Sequence, residues 1–234
     1  MAMSRLILIE GMIGAGKSTT AAHVAKWLID QGEEVRAYHE FADDHPIRIE
    51  AVDTLRAAHP ERIAPPDSGA HEPAPDPAVY AVEQWGALAE RCRHGQRTII
   101  LESSFLQNSV LPNFTSGAPM DTTRAVFARI ETLIAPAHPL LIYLRPSATE
   151  QAVKRVHNER GDPWRSWNVA SVSNYPWARA RGMSGQEAVI ALYRAWEQVV
   201  DELLDLYSSP KLLLIDPQDD WEGALQRIYA KLRA

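Results

Sequence analysis

Eight residues near the start of the chain, Gly11-Met12-Ile13-Gly14-Ala15-Gly16-Lys17-Ser18, follow the spacing G-x-x-x-x-G-K-S/T. Those residue types at that spacing are suited to gripping a polyphosphate. Glycines let successive backbone N–H groups turn inward on an anion, and a helix starting at the lysine adds fixed partial positive charge. The Lys17 ammonium can then reach the outer phosphates while the Ser18 hydroxyl ligates Mg²⁺. Four fixed positions in a chain of 234 residues arise by chance on the order of 1% of the time. The expected ligand is therefore a nucleoside triphosphate.

Other chemistry-bearing residues are spread along the chain. Glu40, with Asp43 and Asp44 close behind, follows a short apolar-polar run; any of the three could take a proton or be a plain surface carboxylate. Glu102 ends an apolar run, where buried strands commonly deliver an acid to a metal-bound water; its structural alternative is to accept loop N–H groups. Lys154, Arg155 and Arg160 form a basic stretch ending at Gly161-Asp162-Pro163, which reads as a hinged lid over the phosphates. The alternative is a solvated helix face paired with Glu150 and Glu159. Phosphoryl transfer needs neutralised charge and alignment more than covalent chemistry. Met12, Ile13 and Ala15 bring no cation, so a mobile arginine must come from elsewhere; Arg160, at the helix end, is preferred over Arg155.

These residues need a scaffold. Leu6–Ile9 is an apolar run entering the glycine loop, and Lys17 to about Gln31 is helix-compatible, with Gly32 as its stop. Glu34–His39 reads as a second strand and residues 46–58 as a helix with proline in its first turn. Residues 60–77 hold six prolines with Ser68 and Gly69, an irregular insertion that could cover substrate or merely connect. Val79–His94 reads as a helix, Thr98–Leu101 as a strand and residues 103–120 as loop. A helix from about Thr122 would take Asp121 as its N-cap. Leu140–Leu144 is a fourth strand. Ser147-x-x-Glu150 is a capping-box pattern opening a helix to about Arg160, and Ser184-x-x-Glu187 opens another to Tyr207. Leu212–Ile215 and Trp221–Leu232 close the chain as strand and helix. Purely apolar strands alternating with helices predict one α/β domain around a parallel sheet covered on both faces.

Composition narrows the partners. Apolar content is 46% and net charge is −6, with a pI near 5.8, so no overall basic character recruits nucleic acid or an anionic membrane. Cys92 is the single cysteine, which excludes an internal disulfide and fits a buried small residue in a reducing compartment. The eight histidines show no metal-ligand spacing. Without a leader pattern or an 18-residue apolar run, the expected location is the cytoplasm. A GTPase would carry Asn-Lys-x-Asp, and a motor or transporter ATPase an apolar strand ending in Asp-Glu or a Leu-Ser-Gly-Gly signature; none is present.

Ile9-Glu10-Gly11-Met12-Ile13-Gly14-Ala15-Gly16-Lys17-Ser18-Thr19 resembles the opening of the deoxynucleoside kinase and thymidylate kinase families. Leu101-Glu102-Ser103-Ser104 resembles their Glu-Arg-Ser motif, and Tyr143–Ser147 with Lys154, Arg155 and Arg160 resembles their fourth strand and arginine-bearing lid. The resemblance implies a P-loop fold with sheet order 2-3-1-4-5 and a site at the carboxyl ends of the strands, where general physics also places a ligand. It implies nucleotide binding by residues 11–19, Glu40 as catalytic base and Glu102 at the metal. It further implies a base-binding glutamine at Gln84, with Glu83 next to it and Trp85 as core or pocket wall. It implies ATP and Mg²⁺ as donor and cofactor, a small-molecule acceptor, and a homodimer as in related kinases.

Two departures bear on the acceptor. Phe41 follows Glu40 where thymidylate kinases carry an arginine, and Ser103 stands where the second arginine would be, so an anionic acceptor would be poorly held unless Arg48, Arg56 or Arg124 substitutes. The expected activity is ATP-dependent phosphorylation of a hydroxyl on a (deoxy)nucleoside-like molecule. The other readings are a thymidylate-type nucleotide kinase, a kinase of another alcohol such as an antibiotic or metabolite, and a nucleotide-binding switch. Residues 164–181, with Trp164, Trp167, Tyr175, Trp177 and three arginines, read as core packing under a loop or as an aromatic pocket or partner surface.

Overall fold

Four consecutive apolar residues can be buried on both sides only between other strands, and Leu6–Ile9 is placed that way. In the computed structural model, which describes residues 6–40, 42, 44–47 and 77–233, β1 (Leu6–Gly11) runs parallel to β3 (Thr98–Glu102) on one side and β4 (Pro139–Arg145) on the other. Beyond β3 lies β2 (Val35–Tyr38), and beyond β4 lies β5 (Lys211–Ile215), so the order is β2-β3-β1-β4-β5, all parallel, as expected. Leu6, Ile7, Leu8 and Ile9 have no exposed surface, nor have Ile100, Leu101, Leu141, Ile142 and Leu144. Each such side chain contributes about 1.5–3 kcal/mol relative to exposure. Burial on both faces fails at the edge: Lys211, Leu213 and Ile215 are exposed on one face of β5 while Leu214 is buried.

Helices cover the sheet through regular apolar stripes. In α1 (Lys17–Asp30) the buried residues are Thr20, Ala21, Val24 and Leu28. The helix α2 (Pro77–His94) precedes β3 and buries Trp85, Leu88 and Cys92, the last as expected for a small apolar residue. Between β3 and β4 come a π-helical turn over Leu106–Val110, then α3 (Leu111–Thr115) and α4 (Met120–Ile134), so the stretch expected to be loop is largely helical. Phe127, Ile130 and Ile134 of α4 pack inward, and Phe105 stacks on Phe127 at 5.2 Å between ring centroids. Next are α5 (Thr149–Asn174), α6 (Pro176–Arg179) and α7 (Gly185–Leu206), and α8 (Trp221–Arg233) closes the chain. Val189, Leu192, Trp196, Val199, Val200 and Leu203 make α7 one-sided at spacings of three and four.

Two expected caps are displaced and a third forms without its side-chain bond. Asp121 lies in the first turn of α4, with Pro119 at the cap, because its carboxylate pairs with Arg124. Ala148, not Ser147, caps α5: the Ser147 N–H donates to Asp216 Oδ1 at 2.8 Å, a bond to the turn after β5 that outcompetes the local box. Ser184 is the N-cap of α7 but makes no side-chain bond there. The helix expected over 46–58 and the Pro-rich insertion over 60–77 fall, save for their ends, outside the described residues.

Candidate active site

The carboxyl ends of β1, β2 and β3 and the start of α1 converge on one corner of the sheet. Gly11 ends β1 so close to β4 that a Cβ there would sit 2.3 Å from the Leu144 carbonyl oxygen, which only glycine permits. Gly16 enters α1 at φ +89°, with the edge of the Trp221 ring against its α-carbon. Met12 and Ala15 are buried and Ile13 is half-buried, so the loop's apolar positions anchor it to the core. The Thr20 hydroxyl donates to Gly16 O at 3.0 Å, and Gln218 Nε2 donates to Gly14 O. Ser18 and Thr19 follow in the first turn of α1.

Lys17 arches back over this loop, donating to the carbonyl oxygens of Gly11 at 3.0 Å and Met12 at 2.9 Å. Burial holds its ammonium below the usual lysine range against the pull of Glu10, Glu40 and Glu102, and Arg160 adds like-charge repulsion. Ser18 Oγ donates to Glu102 Oε1 at 3.1 Å, and His39 Nε2 lies 3.1 Å from the same oxygen. Glu102 is 2% exposed, and its Oε2 is buried without a hydrogen-bond partner. A buried, unpaired carboxylate oxygen beside a serine hydroxyl fits a hard divalent cation taking oxygen ligands and waters. Ser18 and Glu102 are thus the residues that could hold Mg²⁺; among the described residues no cluster of three or more His, Cys, Asp or Glu forms a metal site of its own.

Glu40 lies half-buried just past β2, and Gln107 Nε2 donates to its Oε2 at 3.0 Å. Beneath it, Glu10 is fully buried and accepts the backbone N–H groups of Phe105 at 2.7 Å and Gln107 at 3.2 Å. Burial pushes the Glu10 carboxyl up to about 7, with those N–H groups and Lys17 pulling the other way. Behind the turn, Ser104 Oγ sits 3.0 Å from His45 Nε2 and donates to Glu102 O at 2.9 Å. His45 Nδ1 accepts the Ile47 N–H at 3.0 Å, so the neutral ring carries its proton on Nε2 and donates it to Ser104.

The opposite wall is α5. A Cβ on Gly14 would meet Val156 Cγ2 at 2.8 Å, so this helix packs directly on the glycine loop. It breaks at Gly161, at φ +77° and ψ +178°, where the sequence places a hinge. Arg160 stacks over Trp164 at 4.6 Å, and His157, buried, meets Trp164 edge-on and pairs with Asn168 Oδ1 at 3.0 Å. Tyr193 of α7 hydrogen-bonds Asn168, and burial, then Tyr175, pushes its hydroxyl up; Arg160 and Glu40 are both within its electrostatic reach.

The structure therefore gathers Ser18 and Glu102 by contact, and Lys17, Glu40 and Arg160 by electrostatic proximity. Arg155 instead faces Asp216, and Lys154 pairs with Glu150 at 2.7 Å. Arg124 is bound by Asp121 and Glu202, and Asp44 pairs with Arg36 at 2.5 Å. Phe41, Asp43, Arg48 and Arg56 lie outside the described residues. Gln84 is half-buried and Glu83 exposed on α2. Trp85 is core: it is fully buried, its Nε1–H donating to Ser109 Oγ at 2.8 Å. The aromatic segment splits, Trp177 being buried and Trp167 62% exposed. Sequence reading missed Gln107, His39, Tyr193 and Asn168. It missed the buried Glu10 as well, the one of these with a local signal to find it by, a lone acid in an apolar strand.

No protein-family model matches the chain, and no curated protein matches it. Among solved structures it is similar to thymidylate kinase from Candida albicans, at 16% identity over 100% of this chain and 94% of that one, with a TM-score of 0.52. It also matches the APS kinase CysC of Mycobacterium tuberculosis, at 13% identity over 100% of both chains (TM-score 0.44), and a sugar kinase from Janibacter sp., at 15% over 98% and 95% (TM-score 0.43). The likeness to the thymidylate kinase is one of fold, the P-loop NTPase fold. Among the described residues no helix is long and apolar enough to cross a membrane.

Proposed function

We propose that this chain is a kinase moving the γ-phosphoryl group of ATP to a hydroxyl of a small, uncharged acceptor, most like a (deoxy)nucleoside. The observation that carries this reading is the convergence of Lys17, the Ser18–Glu102 pair, Glu40 and Arg160 on one corner of the sheet. In it, the loop amides of residues 11–19 and Lys17 hold the triphosphate. Ser18 and Glu102 are the residues that would hold magnesium, which would supply charge neutralisation there. Glu40 accepts the hydroxyl proton as the acceptor oxygen bonds to the γ-phosphorus and the bond to the ADP oxygen breaks. Arg160, on a lid spanning about residues 154–166 of a single domain, covers the charge that develops on the phosphoryl oxygens, while Arg155, on another face of the helix, is the second candidate for that role.

Engagement of cations among the described residues favours an uncharged acceptor. Ser103 is neutral, Arg36 is committed to Asp44, Arg124 to Asp121 and Glu202, and Arg145 to Asp201. The test is turnover of Mg·ATP against nucleosides, nucleoside monophosphates and other alcohols, with Glu40→Ala alongside. Nucleosides should be phosphorylated and Glu40→Ala should lose about 100-fold or more in kcat. Turnover confined to monophosphates, or full activity of the variant, refutes the assignment.

A further inference from the structure

The turn after β3 is built around a carboxylate, and this joins the two halves of the site. Phe105 N–H donates to Glu10 Oε1 and Gln107 N–H to Glu10 Oε2, at 2.7 and 3.2 Å. Glu10 has no exposed surface, so these bonds act in a dry setting and pin residues 105–107 to β1. Ser103, at φ +58°, starts the turn in a left-handed conformation, and the π-helical turn Leu106–Val110 continues it. Such backbone costs about 1–3 kcal/mol and persists only where its surroundings enforce it. The enforcing bonds are in place: Trp85 Nε1–H donates to Ser109 Oγ at 2.8 Å, and the Ser109 hydroxyl to Ser104 O at 2.6 Å. Short π segments concentrate at functional sites, since they rotate side chains out of ordinary helical register. The side chain delivered here is Gln107, whose Nε2 donates to Glu40 Oε2 at 3.0 Å.

We infer that Gln107 is a positioning residue: its amide occupies one oxygen of Glu40 and leaves the other, Oε1, to receive the proton of the acceptor hydroxyl. The inference rests on Glu40 being the base. Glu40 sits on a turn beyond the end of β2, where an unrestrained side chain would sample several rotamers. A neutral amide removes that freedom without the cost a cation would bring, because an arginine or lysine in its place would stabilise the carboxylate and weaken it as a base. The order Glu10, turn 105–107, Gln107, Glu40 also runs from the strand that carries the phosphate loop to the group that activates the acceptor. One buried carboxylate thereby sets the distance between donor and base.

The test compares wild type with Gln107→Met, Gln107→Ala and Glu40→Ala. Methionine keeps the length of glutamine and removes the donor. With Mg·ATP and thymidine, deoxycytidine, deoxyadenosine or deoxyguanosine as acceptor, both Gln107 variants should lose about tenfold in kcat while KM for ATP stays within twofold. In ¹⁵N–¹H spectra the Gln107 side-chain amide pair, assigned by its loss in Gln107→Met, should shift in Glu40→Ala. Wild-type kcat in Gln107→Met with a loss in Gln107→Ala would mean that the residue only fills space, and overturns the inference. An amide pair indifferent to Glu40→Ala overturns the pairing while leaving the base assignment intact. Full activity of Glu40→Ala with a responsive amide overturns the base, and with it the positioning role, while the contact itself stands.

Discussion

On the proposed reading, the donor and acceptor sides of this site are built by different means. The donor side is local: residues 11–18 supply backbone amides, an ammonium and a hydroxyl from one strand, loop and helix. Its geometry is fixed by glycines whose missing Cβ atoms let Leu144, Val156 and Trp221 close in. The acceptor side is assembled from side chains far apart in sequence: Glu40 after β2, Gln107 in a π turn, and Tyr193 and Asn168 on two helices. Backbone recognition of phosphate tolerates almost any side chain at the intervening positions, so it persists as a motif. Recognition by side chains is rewritten whenever the acceptor changes. The donor side thus reports the class of chemistry, and the acceptor side the individual substrate.

That contrast breaks first at Lys17. Lys17→Ala should cut kcat by about 1000-fold or more, because it deletes charge stabilisation on the transferring phosphoryl group. Steady-state turnover within about tenfold of wild type would mean that the loop does not serve the donor in this way. Arg160→Ala comes next. A group stacked on Trp164 beyond the Gly161 break should act mainly in the transition state, so kcat should drop about 100-fold with the Kd for Mg·ATP within threefold. An equal loss in ATP affinity and kcat would make Arg160 a ground-state phosphate ligand, and the lid a fixed wall.

The same contrast explains what could be read from the chain alone. The strands and the phosphate loop were legible because the apolar runs Leu6–Ile9, Ile99–Leu101 and Leu140–Leu144 and the glycine spacing are local signals, whereas the sheet order was implied only by the resemblance. Helix caps were not. Ser147 and Asp121 carry the right residue types, but tertiary partners, Asp216 and Arg124, claim them first. Gln107 had no signal at all: its role depends on a π turn enforced by Glu10, Trp85 and Ser109, residues up to 97 positions away. Trp85 could be placed in the core by its helical spacing, whereas its bond to Ser109 could not be foreseen. Arg160 is preferred over Arg155 from its place at the helix end, and the fold adds that Arg160 lies within electrostatic reach of Lys17 and Arg155 within that of Asp216.

The smallest expected effect lies at the joint between the two sides. Burial raises Glu10 from the ordinary 4.5 to about 7. Between those values the folded protein binds more protons at this group than the unfolded chain does. Stability contributed by the protonated carboxyl is therefore present below about pH 4.5 and lost as pH rises through 7. At about 1.4 kcal/mol per pH unit the full swing is on the order of 3–4 kcal/mol. Glu10→Gln does not titrate; its amide turns an NH₂ toward one of the two backbone donors, at a pH-independent cost of about 1–3 kcal/mol. Urea unfolding of both proteins at pH 5, 6, 7 and 8 should show wild type ahead at pH 5, with the gap narrowing steadily to pH 8. A gap that stays constant would mean that the bonds from Phe105 and Gln107, with Lys17, outweigh desolvation. The carboxylate would then stay charged throughout, and the turn carrying Gln107 would be held equally firmly at every pH.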